Sequence, residues 1–297
     1  MTAAEGAIGE GLRLAVQRSG RLTDASLALL RNAGFTFESY SDRLFARCRN
    51  FPLAILFGRD DDIPEYVTSG TVDLGIVGHN LIVEEGVEER VDELLPLGFG
   101  YCSLVLAVPK DSGVSSPGQL AGATVATSYP RSARRFFAAE AIAVDIVTLT
   151  GSVEVAPTLG LASAVVELTV SGSTLLLHDL QPIQTILTSE AVLVANRDAR
   201  RDLAKRELLD RFLLRVKAVV DARNRKYLVL NAPRAALPAI QRVTPGLKSP
   251  TVVALADPDW VAVHTVITED EFWEVIERLR AAGATEILVF PIEKLLL

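Results

Sequence analysis

Residues 165–175 read VVELTVSGSTL: three apolar residues and one acid, then threonine, valine and a run of serine, glycine, serine and threonine. Two readings follow. The stretch is a buried strand that ends in a polar turn, or it is a carboxylate, Glu167, placed just before a cradle of backbone N–H groups and hydroxyls. Such a nest, here Ser171, Gly172, Ser173 and Thr174, binds phosphate, and a carboxylate beside it accepts hydrogen bonds from vicinal sugar hydroxyls. Taken alone, the stretch favours the plainer reading, so the rest of the chain has to decide.

Upstream, LRLAVQ (12–17) reads as a strand, RSGR as the turn after it and LTDASLALLRNAGF as an amphipathic helix with Leu22, Leu27 and Leu30 near helical spacing and Gly34 past its end. DDDIPEYVTSG (60–70) predicts a helix with Pro64 in its first turn, TVDLGIVG (71–78) a buried strand with one acid, and YCSLVLAVP (101–109) another strand. GATVATSYPRSARRFFAAEAI predicts strand, loop and basic helix; VDIVTLTG a strand; SVEVAPTLGLA a helix; SAVVELTV a strand; and IQTILTSEAVLVAN two strands around Ser-Glu. Residues 198–225 predict a long charged helix with Leu203, Leu208, Leu209, Phe212, Leu213 and Val216 on its apolar side. Strands alternating with helices predict α/β architecture with largely parallel sheets. GTVDLGIVG and GLASAVVELTVSG echo each other, which fits two similar lobes or a chance likeness of two units.

The remaining chain changes pattern. KYLVLNAP, RAALPAIQRV, PTVVALAD, DWVAVHTVI, TEDEFWEVIERLRAAG and TEILVFP predict β-α-β-β-α-β, the ferredoxin-like order, with Thr268 capping the second helix and Gly283 ending it.

Composition bounds the function. The 297 residues are 49% hydrophobic and 23% charged, ordinary for globular domains. The net charge of −7 argues against a nucleic-acid partner. The absence of an 18-residue apolar run argues against a membrane span. The opening MTAAEGAIGEG lacks the basic and apolar regions of a secretory signal, so a cytoplasmic protein is expected, with Cys48 and Cys102 as reduced thiols. His79, His178 and His264 lack metal-ligand spacing, and neither a Gly-x-Ser-x-Gly elbow nor a Walker A loop occurs. Asp60, Asp61 and Asp62 fit a Mg²⁺ site or a solvated helix start.

Anion-binding candidates lie at strand ends, where open α/β sheets bind ligands. Arg18 and Arg21 flank Gly20; Arg59 precedes the acid cluster; Arg131, Arg134 and Arg135 follow the ATSYP loop, where they could clamp a pyrophosphate or form a solvated helix face.

LRLAVQRSGRL, RDDDIP, VDLGIVG, ATSYP, GSVEVAP, SGSTL and GATEILVFPIEK, in this order from residue 12 to the end, resemble the long form of ATP phosphoribosyltransferase, the first enzyme of histidine biosynthesis. The resemblance implies a two-lobed catalytic part folded like a type II periplasmic binding protein, with 1–104 and 188–224 in one domain and 105–187 in the other. It also implies a C-terminal ferredoxin-like regulatory domain over 225–297. The implied reaction transfers phosphoribosyl from phosphoribosyl pyrophosphate to N1 of ATP with Mg²⁺. Glu167 and Ser171 to Thr174 match the phosphosugar site; Arg18, Gly20, Arg21, Leu22, Arg59, Asp73, Tyr129 and Arg134 match the nucleotide site; Arg18, Arg21 and Glu167 match catalytic positions. Asn231, Thr251 and Val266 match positions where histidine inhibits, and a homo-hexamer or dimer is implied. The family often carries Asp where Glu167 stands, and Asp or His where Asn231 stands. A non-catalytic solute-binding module is the alternative on the same fold.

Overall fold

The computed structural model describes residues 11–38, 44–199 and 201–297. The segment before Gly11, on which most of the secretory-signal reading rests, lies outside them, as does Arg200 of the expected long helix.

The first lobe is built from β1 (Leu12–Gln17), α1 (Thr23–Asn32), β2 (Phe45–Arg47), β3 (Leu53–Gly58), α2 (Ile63–Thr68), β4 (Leu74–Gly78), α3 (His79–Glu85) and β5 (Val91–Pro96). The chain then crosses into a second lobe of β6 (Cys102–Pro109), β7 (Thr124–Thr127), α4 (Pro130–Ala139), β8 (Asp145–Thr148), β9 (Ala164–Thr169), α5 (Ser173–Leu177) and β10 (Leu180–Ser189). It returns through β11 (Ala191–Asn196) and runs into α6 (Leu203–Ala222). The strand order is β2-β3-β1-β4-β11-β5 in the first sheet and β10-β6-β9-β7-β8 in the second. The crossings therefore fall at 97–101 and at Glu190, so β6 and β10 lie whole in the second sheet rather than being cut at 105 and 187.

β1 is parallel to both β3 and β4, and β7 to both β8 and β9, so each lobe has a parallel heart with antiparallel strands beside it. Strands covered on both faces need continuous apolar sequence. This is why LRLAVQ and LGIVG bury almost every residue. Ala15, Ile63, Val77 and Val192 form one core of the first lobe, and Leu106, Val125, Phe137 and Val166 one core of the second.

A separate compact unit runs from Phe212 to Leu297 and takes in Asn32–Gly34. Its elements are β12 (Arg225–Pro233), α7 (Leu237–Val243), β13 (Thr251–Ala254), β14 (Trp260–Thr268), α8 (Phe272–Ala281) and β15 (Thr285–Pro291). The sheet order β13-β14-β12-β15 is the antiparallel ferredoxin-like arrangement. Leu228, Leu230, Val261 and Val263 face Ile240, Val275 and Leu279 in its core. The two-lobed α/β part and the ferredoxin-like domain are those expected from the sequence.

Several local expectations change. SVEVAPTLGLA forms only a single 3₁₀ turn at Val153–Val155. Pro157 has no N–H to offer Val153, so Ala156 donates to the Val153 carbonyl at 3.0 Å and the tighter turn wins. Thr268 ends β14 instead of capping α8; its hydroxyl donates to Glu271 at 2.9 Å. Leu203 opens α6 fully in solvent, and the buried stripe is carried by Leu209, Phe212 and Val216. β2, β3, α3 and β5 have no counterpart in the sequence reading. Among the described residues no helix is long and apolar enough to cross a membrane.

Candidate active site

The parallel strands end in loops that carry the candidate residues. β1 ends at Arg18-Ser19-Gly20-Arg21, and β3 at Arg59-Asp60-Asp61-Asp62. Gln17, buried at the end of β1, ties these loops together. Its side-chain N–H donates to Asp60 Oδ2 at 2.8 Å, and its Oε1 accepts the Leu22 N–H at 2.8 Å. The Arg18 N–H donates to the Gly58 carbonyl at 2.8 Å. A cavity of about 740 Å³ opens beside them, lined by Arg18, Ser19, Arg59, Asp60, Asp62 and Tyr66 among others. Arg59 lies 3.8 Å from Asp61 and is largely exposed. Arg21 donates to the carbonyl of Gly100, in the segment that crosses between lobes.

In the second lobe, Glu167 sits near the end of β9, opposite Val105 of β6. Among the described residues its one hydrogen bond comes from the N–H of its own neighbour, Leu168, at 3.0 Å. Burial pushes its pKa up, the Leu168 N–H pulls the other way, and the nearby Glu154 carboxylate raises it further. Glu154 belongs to the Val153–Val155 turn, so GSVEVAP brings a second carboxylate to the phosphosugar candidate.

Beyond Glu167 the chain turns at Gly172, whose φ of +76° is left-handed and strained for any residue with a Cβ. The Gly172 N–H donates to the Thr169 hydroxyl at 2.8 Å, and the hydroxyls of Ser171 and Ser173 are 2.9 Å apart. Ser173 and Thr174 open α5 rather than sitting in a free turn. The four residues expected to hold phosphate thus form the turn that leads from β9 into α5.

Tyr129 joins the lobes. Its ring packs against core residues of both. Burial raises the pKa of its hydroxyl far above the usual phenol value, and Glu167 from its own lobe and Asp61 and Asp60 from the other add to the effect. Asp61 is itself raised, by burial and by Asp60, with Arg59 opposing.

Three expected nucleotide residues stand apart. Asp73 precedes β4, at the opposite end of the sheet from Arg18. It accepts the Arg13 N–H at 2.8 Å and pairs with Lys205 Nζ at 2.6 Å, with 3% of its side chain exposed. It is a structural ion pair because the carboxylate lies on the amino side of its strand, about 15 Å from the carboxyl end at the rise of a β-strand. Leu22 is buried, and its N–H is already taken by Gln17. Arg134 is exposed on α4 without an ion pair among the described residues. The first turn of α4 offers no free backbone N–H at Arg131 or Ser132 to an anion beside its arginines. Its Arg131 and Ser132 N–H groups are occupied by the Glu84 carboxylate, at 2.8 and 2.9 Å.

In the C-terminal domain, strand register decides which residues share a face. Asn231 is opposite Ala262, and Thr251 is opposite His264, two residues before Val266. Asn231, Thr251 and Val266 therefore share the sheet face away from the Leu230–Val263 core, where Tyr227 and His264 are hydrogen-bonded at 2.9 Å. The Asn231 amide donates to Glu286 on β15.

Comparison with known proteins agrees with this architecture. A model of the HisG family, ATP phosphoribosyltransferase, matches residues 59–218, and a model of the HisG C-terminal domain matches 222–294. ATP phosphoribosyltransferase of Parabacteroides distasonis is 44% identical over 285 residues, 96% of this chain and 99% of that one. The ATP phosphoribosyl transferase (HisG:HisZ) complex from Thermotoga maritima contains a chain similar at TM-score 0.62 and 27% identity, covering 71% of this chain and 98% of that one. A solved structure of Tv2483 bound to L-arginine shares the fold alone, at TM-score 0.50 and 13% identity over 73% of this chain and 88% of that one. The chain belongs to the ATP phosphoribosyltransferase family, in its long form with the C-terminal domain.

Proposed function

We propose that the cleft between the two lobes binds ATP and phosphoribosyl pyrophosphate and joins them. The N1 lone pair of adenine forms a bond to C1 of the ribose; the C1–O bond to pyrophosphate breaks and its electron pair leaves with pyrophosphate. N1 needs no strong base, so the work left to the protein is bringing two polyanions together and stabilising the leaving group. The observation that supports this reading is Tyr129, whose ring packs against the cores of both lobes and whose hydroxyl is within electrostatic reach of Glu167 in one lobe and of Asp60 and Asp61 in the other.

In this reading Glu167 accepts the ribose hydroxyls, and the hydroxyls of Ser171, Ser173 and Thr174 hold the 5-phosphate. Arg18, Arg21 and Arg59 neutralise the phosphates of the nucleotide and the leaving group. Tyr129 stacks at the base or closes the cleft over it. Mg²⁺ supplies charge neutralisation on the pyrophosphate when bound. No cluster of three or more His, Cys, Asp or Glu that could hold a metal occurs among the described residues. In this reading the ion is carried by substrate phosphates with one or two protein carboxylates, and Asp60 and Asp61 are the candidates.

Protein, ATP, phosphoribosyl pyrophosphate and Mg²⁺ are mixed with pyrophosphatase, and phosphate production is followed. Production dependent on all three additions is expected. Binding of ATP without turnover would establish the solute-binding alternative instead.

Histidine is proposed to inhibit by binding the Asn231–Thr251–Val266 face in an assembly of two or six copies. Asn231 is uncharged and already donates to Glu286, so it offers the histidine ammonium no ionic partner, and weak feedback is expected. Histidine titration of the rate checks this: strong inhibition abolished by Thr251→Arg and unchanged by Asn231→Ala removes Asn231 from the site. Sedimentation at assay concentration reads the assembly.

A further inference from the structure

A helix begins with N–H groups that lack partners, and a side chain at the N-cap position usually supplies one. In α4 the N-cap residue is Tyr129, which makes no capping hydrogen bond. The cap comes instead from the other lobe. Glu84, in the last turn of α3, accepts the Arg131 N–H at 2.8 Å through one carboxylate oxygen. Its other oxygen accepts the Ser132 N–H at 2.9 Å and the Ser132 hydroxyl at 2.7 Å. A carboxylate at this place also complements the positive end of the helix dipole.

The contact does not stand alone. Arg135, one turn along α4, pairs with Glu88 at 2.9 Å. The Arg131 guanidinium lies over Gly86 at the end of α3, where a Cβ would collide with it. Ser132 is buried beneath this junction. Tyr129 sits immediately before the capped turn, its own N–H donating to Thr127 at 2.8 Å, and its ring spans the cores of both lobes.

We propose that Glu84 is a positioning residue for the transfer: carried by the first lobe, it seats the amino end of α4 in the second and thereby fixes Tyr129 across the cleft. The Glu84 carboxylate thus ties the two lobes together at the amino end of α4, beside the Arg135–Glu88 pair, and the loop before α4 inherits its position from that joint. Glu84 itself touches no substrate. The inference rests on the cleft assignment above, and its test separates the two.

The variants are E84Q, S132A and E84Q/S132D, assayed for pyrophosphate release per folded molecule alongside thermal melting. Glutamine turns an amide NH₂ toward the helix N–H groups, so charge-assisted bonds are lost and kcat/KM falls about ten-fold, the order expected for hydrogen bonds to a charged group. S132A removes one of the three bonds and lowers kcat/KM by a few-fold, which keeps the test alive where E84Q does not fold. Aspartate at 132 supplies a cap from within α4, so it raises the melting temperature of E84Q while leaving kcat/KM low. Unchanged kcat/KM in E84Q, or in S132A where E84Q fails to fold, overturns the proposal; so does recovery of kcat/KM together with melting in the double variant. Wild-type protein that releases no pyrophosphate defeats the reaction assignment instead. Amide exchange across 128–137 then reads the joint directly, and equal protection in wild type and E84Q defeats it.

Discussion

Asp73 and Glu167 occupy matching places in two stretches that echo each other, each the single acid of an apolar strand followed by glycine. In the folded chain they are opposites. Asp73 stands at the amino side of β4, nearly sealed, with the Arg13 N–H and side chain and Lys205 closing on it. Glu167 stands near the carboxyl end of β9, half-buried, with one backbone N–H and another carboxylate for company. The first charge is fully compensated and holds β1, β4 and α6 together. The second is held in a state that burial disfavours, with no cation beside it among the described residues. In a parallel α/β sheet the end of the strand decides which of these an acid becomes, because ligands collect outside the carboxyl ends.

The largest expected effect breaks that contrast from the Glu167 side. Glu167→Ala removes the acceptor proposed for the ribose hydroxyls, and loss of hydrogen bonds to a charged group predicts about a hundred-fold fall in kcat/KM for phosphoribosyl pyrophosphate. The KM for ATP should change far less. Steady-state kinetics with each substrate varied in turn checks this, and equal effects on both substrates would make Glu167 a strand residue like any other.

Asp73→Ala probes the opposite pole. Breaking a buried pair costs about 3–5 kcal/mol. Arg13 and Lys205 keep 27% and 31% of their side chains in water, which brings the expected loss to about 2 kcal/mol. Urea unfolding reads it. The KM for ATP should stay at the wild-type value; a rise would return Asp73 to the nucleotide site.

The same contrast shows what a sequence can display. The C-terminal order and the parallel hearts of both lobes were legible because TVVALAD, WVAVHTVI and LRLAVQ are unambiguous apolar runs punctuated by Gly, Pro and Asp. α3 was not: β4 passes into it directly at Gly78–His79, and the apolar run through Val83 carries no period that separates strand from helix. Of the candidate site, Glu167, Ser171 to Thr174, Arg18 and Tyr129 were nameable as candidates from strand ends and family motifs. Gln17 was open to the same reasoning, as a polar residue closing an apolar strand. Glu84 was not, because the first N–H it accepts, that of Arg131, is 47 residues away in the other lobe. The pairing of Asp73 was not legible because an acid inside an apolar run does not declare which end of its strand it occupies; that follows only from the register with β1 and from Lys205, brought back by α6.

The smallest effect is the most specific to the comparison. A carboxyl whose folded pKa is raised binds its proton more tightly in the native state than in the unfolded chain. Between the unfolded and folded values the unfolded state therefore binds fewer protons, and stability falls as pH rises through that window. Glu167 thus costs stability at neutral pH and the cost disappears on acidification, whereas the proposed ribose contact needs the ionised form, so activity is expected to fail on the acid side at a higher pH than an ordinary glutamate would dictate. Glu167→Gln separates the two. At pH 7 it should melt slightly higher than wild type, at pH 4 the two should melt together, and the acid limb of kcat/KM for the phosphosugar should vanish along with most of the activity. A Gln variant that melts lower at pH 7 would mean that the charge is compensated in the folded protein, as that of Asp73 is, and the distinction between the two acids would be one of position alone.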